Sequence, residues 1–105
     1  MSNKKEIRKK FKESVFKRDG KCMVCSEPIK DDNMDAHHIT DRNEMPNGGY
    51  VLENGITLCK DECHMKAEKF HISGGSEWEK YMHPDELYLL IHSSKELAIK
   101  KSKLL

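Results

Sequence analysis

The first stretch with a clear period runs from Ser2 to about Arg18, where Ile7, Phe11 and Val15 recur every four residues with lysines between them. That is the spacing of one apolar helix face, so an N-terminal helix is predicted over 2–18. Asp19-Gly20 closes it as a turn signal. Cys22-Met23-Val24-Cys25 then reads as a tight knuckle, and Ser26 to Met34, polar and holding Pro28, as a loop or hairpin connection. Met34 to Thr40 is short and extended, whereas Asp41 to Gly49, with Asn, Pro46 and two glycines, is a loop. Tyr50-Val51-Leu52 and Ile56-Thr57-Leu58 are β-prone and flank Asn54-Gly55. Such a pair usually marks a hairpin turn; here it is alternatively a kink that places the Asn54 side chain. Cys59 to about Ile72 predicts a second helix, and Ser73-Gly74-Gly75-Ser76 breaks it. From Pro84 onward Leu87, Leu90, Ile91, Leu97 and Ala98 form the stripe of one last helix, to about residue 103. There are no internal repeats and no low-complexity segments.

Composition limits what such elements can bury. The chain has 105 residues, 36% hydrophobic and 35% charged, which suits one domain with a small core in need of a staple. No apolar segment of the signal-peptide type follows the opening Met-Ser-Asn-Lys-Lys, and no run is long enough to span a membrane. A reducing cytoplasm is therefore expected, where paired cysteines bind metal more often than they form disulfides. Cys22, Cys25, Cys59 and Cys63 are two close pairs separated by a loop, a pattern that matches a closed tetrahedral Cys₄ zinc site. With Cys59 and Cys63 on the first turn of the second helix, their i, i+4 spacing would put both on one face. His64 would stand about 100° round from Cys63 and could serve a different site.

The net charge of +1 hides basic ends. Up to Lys21 there are nine basic residues, among them Lys9, Lys10, Lys17 and Arg18, against three acidic ones; the last eleven residues hold four lysines against Glu96. Such ends suit a polyanion such as nucleic acid, and equally suit solvated helix faces. His37-His38 and His64 are the candidate chemical groups, because imidazole serves both as metal ligand and as general base near neutral pH. Neighbours on a strand face opposite ways, so both histidines share a site only where the strand ends or bends.

Taken in order, Cys-x2-Cys, His-His-Ile, an Asn five residues before Cys, and Cys-His resemble the HNH endonucleases of the ββα-metal fold, over roughly Phe16 to Phe70. Asp85-Glu86-Leu87-Tyr88 and the other flanks look like those of small phage-borne members. Two departures are visible: three residues rather than two lie inside the second cysteine pair, and Ser26 stands where glycine is commoner. The resemblance implies an α+β domain spanning 1–105, its ββα-metal core at about 16–72 carrying a structural Cys₄ zinc and flanked by N- and C-terminal helices. It implies hydrolysis of DNA phosphodiesters by nicking or double-strand cleavage. His37 and His64 would be ligands of one catalytic divalent ion, Mg²⁺, Mn²⁺ or another first-row metal. His38 would be the general base, standing in for a second metal, and Asn54 would brace the loop and orient base or metal. DNA is the implied partner, with Arg42, Lys9, Lys10, Lys17 and Arg18 as candidate phosphate contacts, no membrane, and a monomer or homodimer in the bacterial host cytoplasm. The alternative is a non-catalytic zinc module that binds nucleic acid or protein. Glu68 and His71 share the His64 face of the helix. Glu68 is read as a solvated carboxylate rather than a ligand, and Asp35, His83 and His92 as structural or surface residues.

Overall fold

A computed structural model describes residues 4–105. The first helix, α1, spans Lys4–Asp19; the expected start at Ser2 lies outside the described residues. It buries Phe11 and Val15, as the four-residue repeat requires, and ends where Gly20 adopts φ +72° and returns its N–H to Phe16 O at 2.8 Å. Two strands follow, β1 (Met34–His38) and β2 (Gly55–Cys59), paired antiparallel from Met34↔Cys59 to His38↔Gly55. Two strands alone are marginal in water. Here every β2 residue is buried, because α1 covers one face and α2 (Cys63–Ile72) the other. A Cβ at Gly55 would lie 2.6 Å from Val15 and 2.7 Å from Phe11, so α1 sits closer to β2 than any side chain there would permit. Fully buried Met34, Ile39, Ile56, Leu58 and Leu87 complete the core.

Three expectations change. Tyr50 to Leu52 is not a strand; the chain reaches β2 through a 3-10 turn at Leu52–Asn54, so Asn54-Gly55 is a kink and not a hairpin turn. Cys59 is the last residue of β2, and the helix begins only at Cys63. The single helix expected over 84–103 is two, α3 (Pro84–Leu90) and α4 (Lys95–Ser102). His92, at φ +55°, ends α3, with the N–H of Ser93 returning to Tyr88 O at 2.9 Å. The Ser94 hydroxyl then caps α4 by accepting from Leu97 N at 3.1 Å. Ser93 also donates to Glu53 O at 2.8 Å, which ties the break to the turn before β2. No helix of the described residues is long and apolar enough to cross a membrane.

Candidate functional site

Two donor clusters lie on either side of the Cys63–His64 step. In the first, one sulfur from each of Cys22, Cys25, Cys59 and Cys63 lies within 4.8 Å of the others, and all four are free thiols. The sulfurs of Cys25 and Cys59 are 3.8 Å apart, far beyond a disulfide bond. The knuckle is shaped by Ser26, which takes φ +68° and donates to Cys22 O, and is sewn to β2 by Met23 N donating to Thr57 O at 3.0 Å. Burial pushes the Cys22 thiol up, but the peptide N–H groups of Cys25, Cys59 and Val24 outweigh it and bring it down to about 7. Cys63 is pushed up by burial and by the thiols around it. Four crowded sulfurs with one ready to ionise are a donor set that could hold a metal such as zinc.

The second cluster draws His37 from β1 and His64 and Glu68 from α2; one ligand atom of each lies within 4.8 Å of the others. Glu68 Oε1 is the hub, 3.0 Å from His64 Nε2 and 3.3 Å from His37 Nδ1. The latter approach has no hydrogen-bond geometry, so His37 Nδ1 is a buried nitrogen without a partner, aimed at a carboxylate. Desolvation pushes His37 down, keeping it a neutral acceptor. His37 and His64 beside it hold the Glu68 carboxyl well below the usual carboxylate range. Asp35 Oδ2 lies 2.8 Å from His64 Nδ1 and fixes the ring. A carboxylate on Nδ1 sets the ring so that Nε2, here bonded to Glu68 Oε1, can present its lone pair to a cation once its proton leaves, as in carboxylate–histidine–metal arrangements. His64 Nε2 hydrogen-bonds Glu68 Oε1 at 3.0 Å, and once that proton is displaced the three ligand atoms, all within 4.8 Å of one another, could hold a divalent cation. Glu68, read from the sequence as a solvated carboxylate, is therefore part of this cluster, and Asp35, set aside as structural, orients it. Both signals were present: Asp35 is two residues before His37 on a strand, and Glu68 is one helical turn after His64.

His38 leaves β1 on the other face. Its ring stacks on Phe11 at 4.6 Å and meets Tyr50 edge-on at 4.8 Å. Burial, then the proximity of His37 and Arg42, pushes its imidazole down to about 4. Nε2 is sealed from solvent without a partner. His71 stands behind the pair: its Nε2 donates to His38 O at 2.9 Å, and its ring stacks on His37 at 5.2 Å. It lies outside the ligand cluster and buttresses it.

Asn54 is fully buried and touches none of these imidazoles. Its Oδ1 accepts from Thr40 N at 3.0 Å and from Tyr88 Oη at 2.7 Å. Its Nδ2 donates to Thr40 O at 3.0 Å and Gly49 O at 3.3 Å. With all four bonds made, Asn54 clamps the chain just after His38. Gly49 is obligatory here, since at φ +67° its Cβ would come 2.7 Å from Asn54 Nδ2. Tyr88, from α3, escaped the sequence reading because no local spacing links it to Asn54.

Of the basic candidates, Lys9, Lys10 and Lys17 are exposed on α1. Arg18, exposed at the end of α1, pairs with Asp19 at 2.7 Å and donates to the carbonyls of Leu52 and Gly55, while Asp19 accepts from Thr57 N. Arg42 donates to Tyr50 Oη at 3.5 Å.

Residues 22–70 match the family model described as HNH endonuclease. The chain carries an HNH domain. Neither the curated proteins nor the solved structures compared with it gave a match. The β1–β2–α2 unit is the ββα-metal core of this HNH domain, whereas α1, α3 and α4 lie outside the matched segment.

Proposed function

We propose that the HNH domain hydrolyses DNA phosphodiester bonds, with His37, His64 and Glu68 holding one divalent cation and His38 serving as general base. The carrying observation is the convergence of ligand atoms from His37, His64 and Glu68 within 4.8 Å of one another, one residue along the strand from His38, whose buried Nε2 has no partner. A cation bound there would stabilise charge on the phosphate and on the departing 3′ oxygen. His38, kept neutral by its burial, accepts the proton of the attacking water. His71 steadies it through the His38 carbonyl, and Asn54 and Tyr88 hold the loop beyond it. Asp35 keeps the His64 lone pair turned toward the cation. Cys22, Cys25, Cys59 and Cys63 hold Zn²⁺ as a staple and take no part in the reaction. The exposed lysines of α1, Lys9, Lys10 and Lys17, face the DNA backbone.

The test is nicking of supercoiled plasmid with and without Mg²⁺ or Mn²⁺. Metal-dependent nicking should fall by roughly 10²–10⁴ in His38→Ala, with DNA and metal still bound. Higher pH should restore part of the rate, as hydroxide replaces the missing base. If His38→Ala cuts like the wild type, this base is misassigned. If no metal supports cutting by the intact protein, the chain is a zinc-stapled binding module instead.

A further inference from the structure

Beside His38, on the face away from the acceptor cluster, is a cavity of about 780 Å³ lined by Lys4, Arg8, Arg42, Asn43, Asn47 and Tyr50, with Ile7 and Leu105 at its edge. In its wall the Tyr50 hydroxyl accepts from Arg8 Nε at 3.3 Å and from Arg42 Nη1 at 3.5 Å. Two guanidinium groups thus converge on one neutral oxygen. Among the described residues neither makes an ion pair, and no carboxylate side chain lines the cavity. Like charges brought together around a neutral oxygen are repulsive unless an anion joins them. Tyr50 spends its lone pairs on the arginines, which leaves its own O–H to donate outward. Arg8 keeps both terminal nitrogens, and Arg42 keeps Nη2 and Nε. The result is a surplus of planar donors of the kind that grips a phosphate in a two-pronged fashion.

The location adds a second argument. The Tyr50 ring packs edge-on against His38 at 4.8 Å and against Phe11 at 5.6 Å, and Phe11 stacks on His38. Phosphate held at the Tyr50 hydroxyl is therefore held at a set distance from the imidazole. The divalent-ion ligands stand on the opposite side of β1, so this cradle and the acceptor cluster are separate places for two phosphates. We infer that Arg8, Tyr50 and Arg42 form a clamp for a DNA backbone phosphate that is not the one cut, placing the strand against His38. The identity of the anion as DNA rests on the endonuclease reading; the presence of an anion site does not.

The experiment measures duplex binding by fluorescence anisotropy across a salt series in protein carrying His38→Ala, with and without the added pair Arg8→Gln and Arg42→Gln. The slope of log K against log salt should fall by roughly 1–2, the loss expected when one or two charge contacts to phosphate disappear. In the cleaving protein the same pair should raise KM about tenfold or more and leave kcat within a few-fold, because a contact to a non-reacting phosphate binds ground and transition states alike. Tyr50→Phe should raise KM less and leave the slope unchanged, since it removes a donor but no charge. Both sites are on the surface, so an unchanged melting temperature will show that the variants are folded. An unchanged slope and KM in the arginine pair, or no duplex binding by the starting protein, overturns the clamp. So does inorganic phosphate competing as well as the duplex at constant ionic strength, which would make the cavity a site for a free anion. Intact protein that binds DNA with this slope change and does not cut sinks the endonuclease reading while the clamp stands.

Discussion

Tyr88→Phe removes one oxygen from the molecule and tests whether a helix outside the matched HNH segment holds the site in shape. Burial pushes the Tyr88 phenol up, so it stays protonated and donates to Asn54 Oδ1 at 2.7 Å. Having one hydrogen to give, it must accept from the Thr40 hydroxyl, also at 2.7 Å. The variant loses both bonds. Asn54 Oδ1 keeps the Thr40 amide, but the Thr40 hydroxyl, on a residue only 5% exposed, is left without its partner. Breaking such a pair and stranding one buried hydroxyl costs roughly 1–3 kcal/mol. Each kcal/mol moves the melt of a domain of this size by about 4–8 °C, so a fall on the order of 10 °C is expected. Differential scanning calorimetry on the zinc-loaded protein measures it. Mn²⁺ affinity should hardly change, because no ligand touches Tyr88. The nicking rate should fall several-fold, because Thr40 is two residues beyond the base and loses one of its three hydrogen bonds to Asn54 and Tyr88. An unaltered melt would refute the bond network. A lowered melt with an unaltered rate, measured well below the transition, would show that the network supports the fold and not the position of His38.

Further outcomes follow from the two clusters. Glu68→Ala removes the hub of the acceptor set and should weaken Mn²⁺ binding more than Asp35→Asn, for which a loss of about 10–100-fold is expected because only the orientation of His64 changes; isothermal titration giving the reverse order would make Asp35 the ligand. His64 is raised above its ordinary 6.5 by Glu68, with burial opposing and Asp35 adding to the rise. The rise favours a proton on His64 in the metal-free protein that a cation must displace, so Mn²⁺ affinity should increase with pH. Titrations in buffers of different ionisation enthalpy should show proton release, and His64→Ala should abolish it. Cys63→Ser should lose the zinc and fold poorly, because α2 then has no tie to the Cys22–Cys25 knuckle; full zinc content by atomic absorption together with an undisturbed melt would rule out that staple.

What the order of residues determined by itself is whatever depends on near neighbours. The four-residue repeat of Phe11 and Val15 settled which face of α1 is buried, and Gly20, free to take positive φ, settled where that helix stops. The paired spacing of Cys22, Cys25, Cys59 and Cys63 announced the thiol cluster without regard to whether Cys59 ends a strand or begins a helix, because a metal needs only sulfurs brought close. Other features depended on contacts between distant segments. Strand geometry sends His37 and His38 apart, but which of them meets α2 is decided by β2 packing between two helices. Glu68 looks like any exposed helix carboxylate until β1 brings His37 to its oxygen. Arg18 looks like a free cation until the turn before β2 offers it two carbonyls. The apolar stripe after Pro84 runs through the break at His92 because periodicity records which residues face the core and carries no information about the backbone break that lets α4 pack on the turns around Asn47 and Glu53. Tyr88 and Asn54 lie 34 residues apart, and only folding brings them within reach of one hydrogen bond.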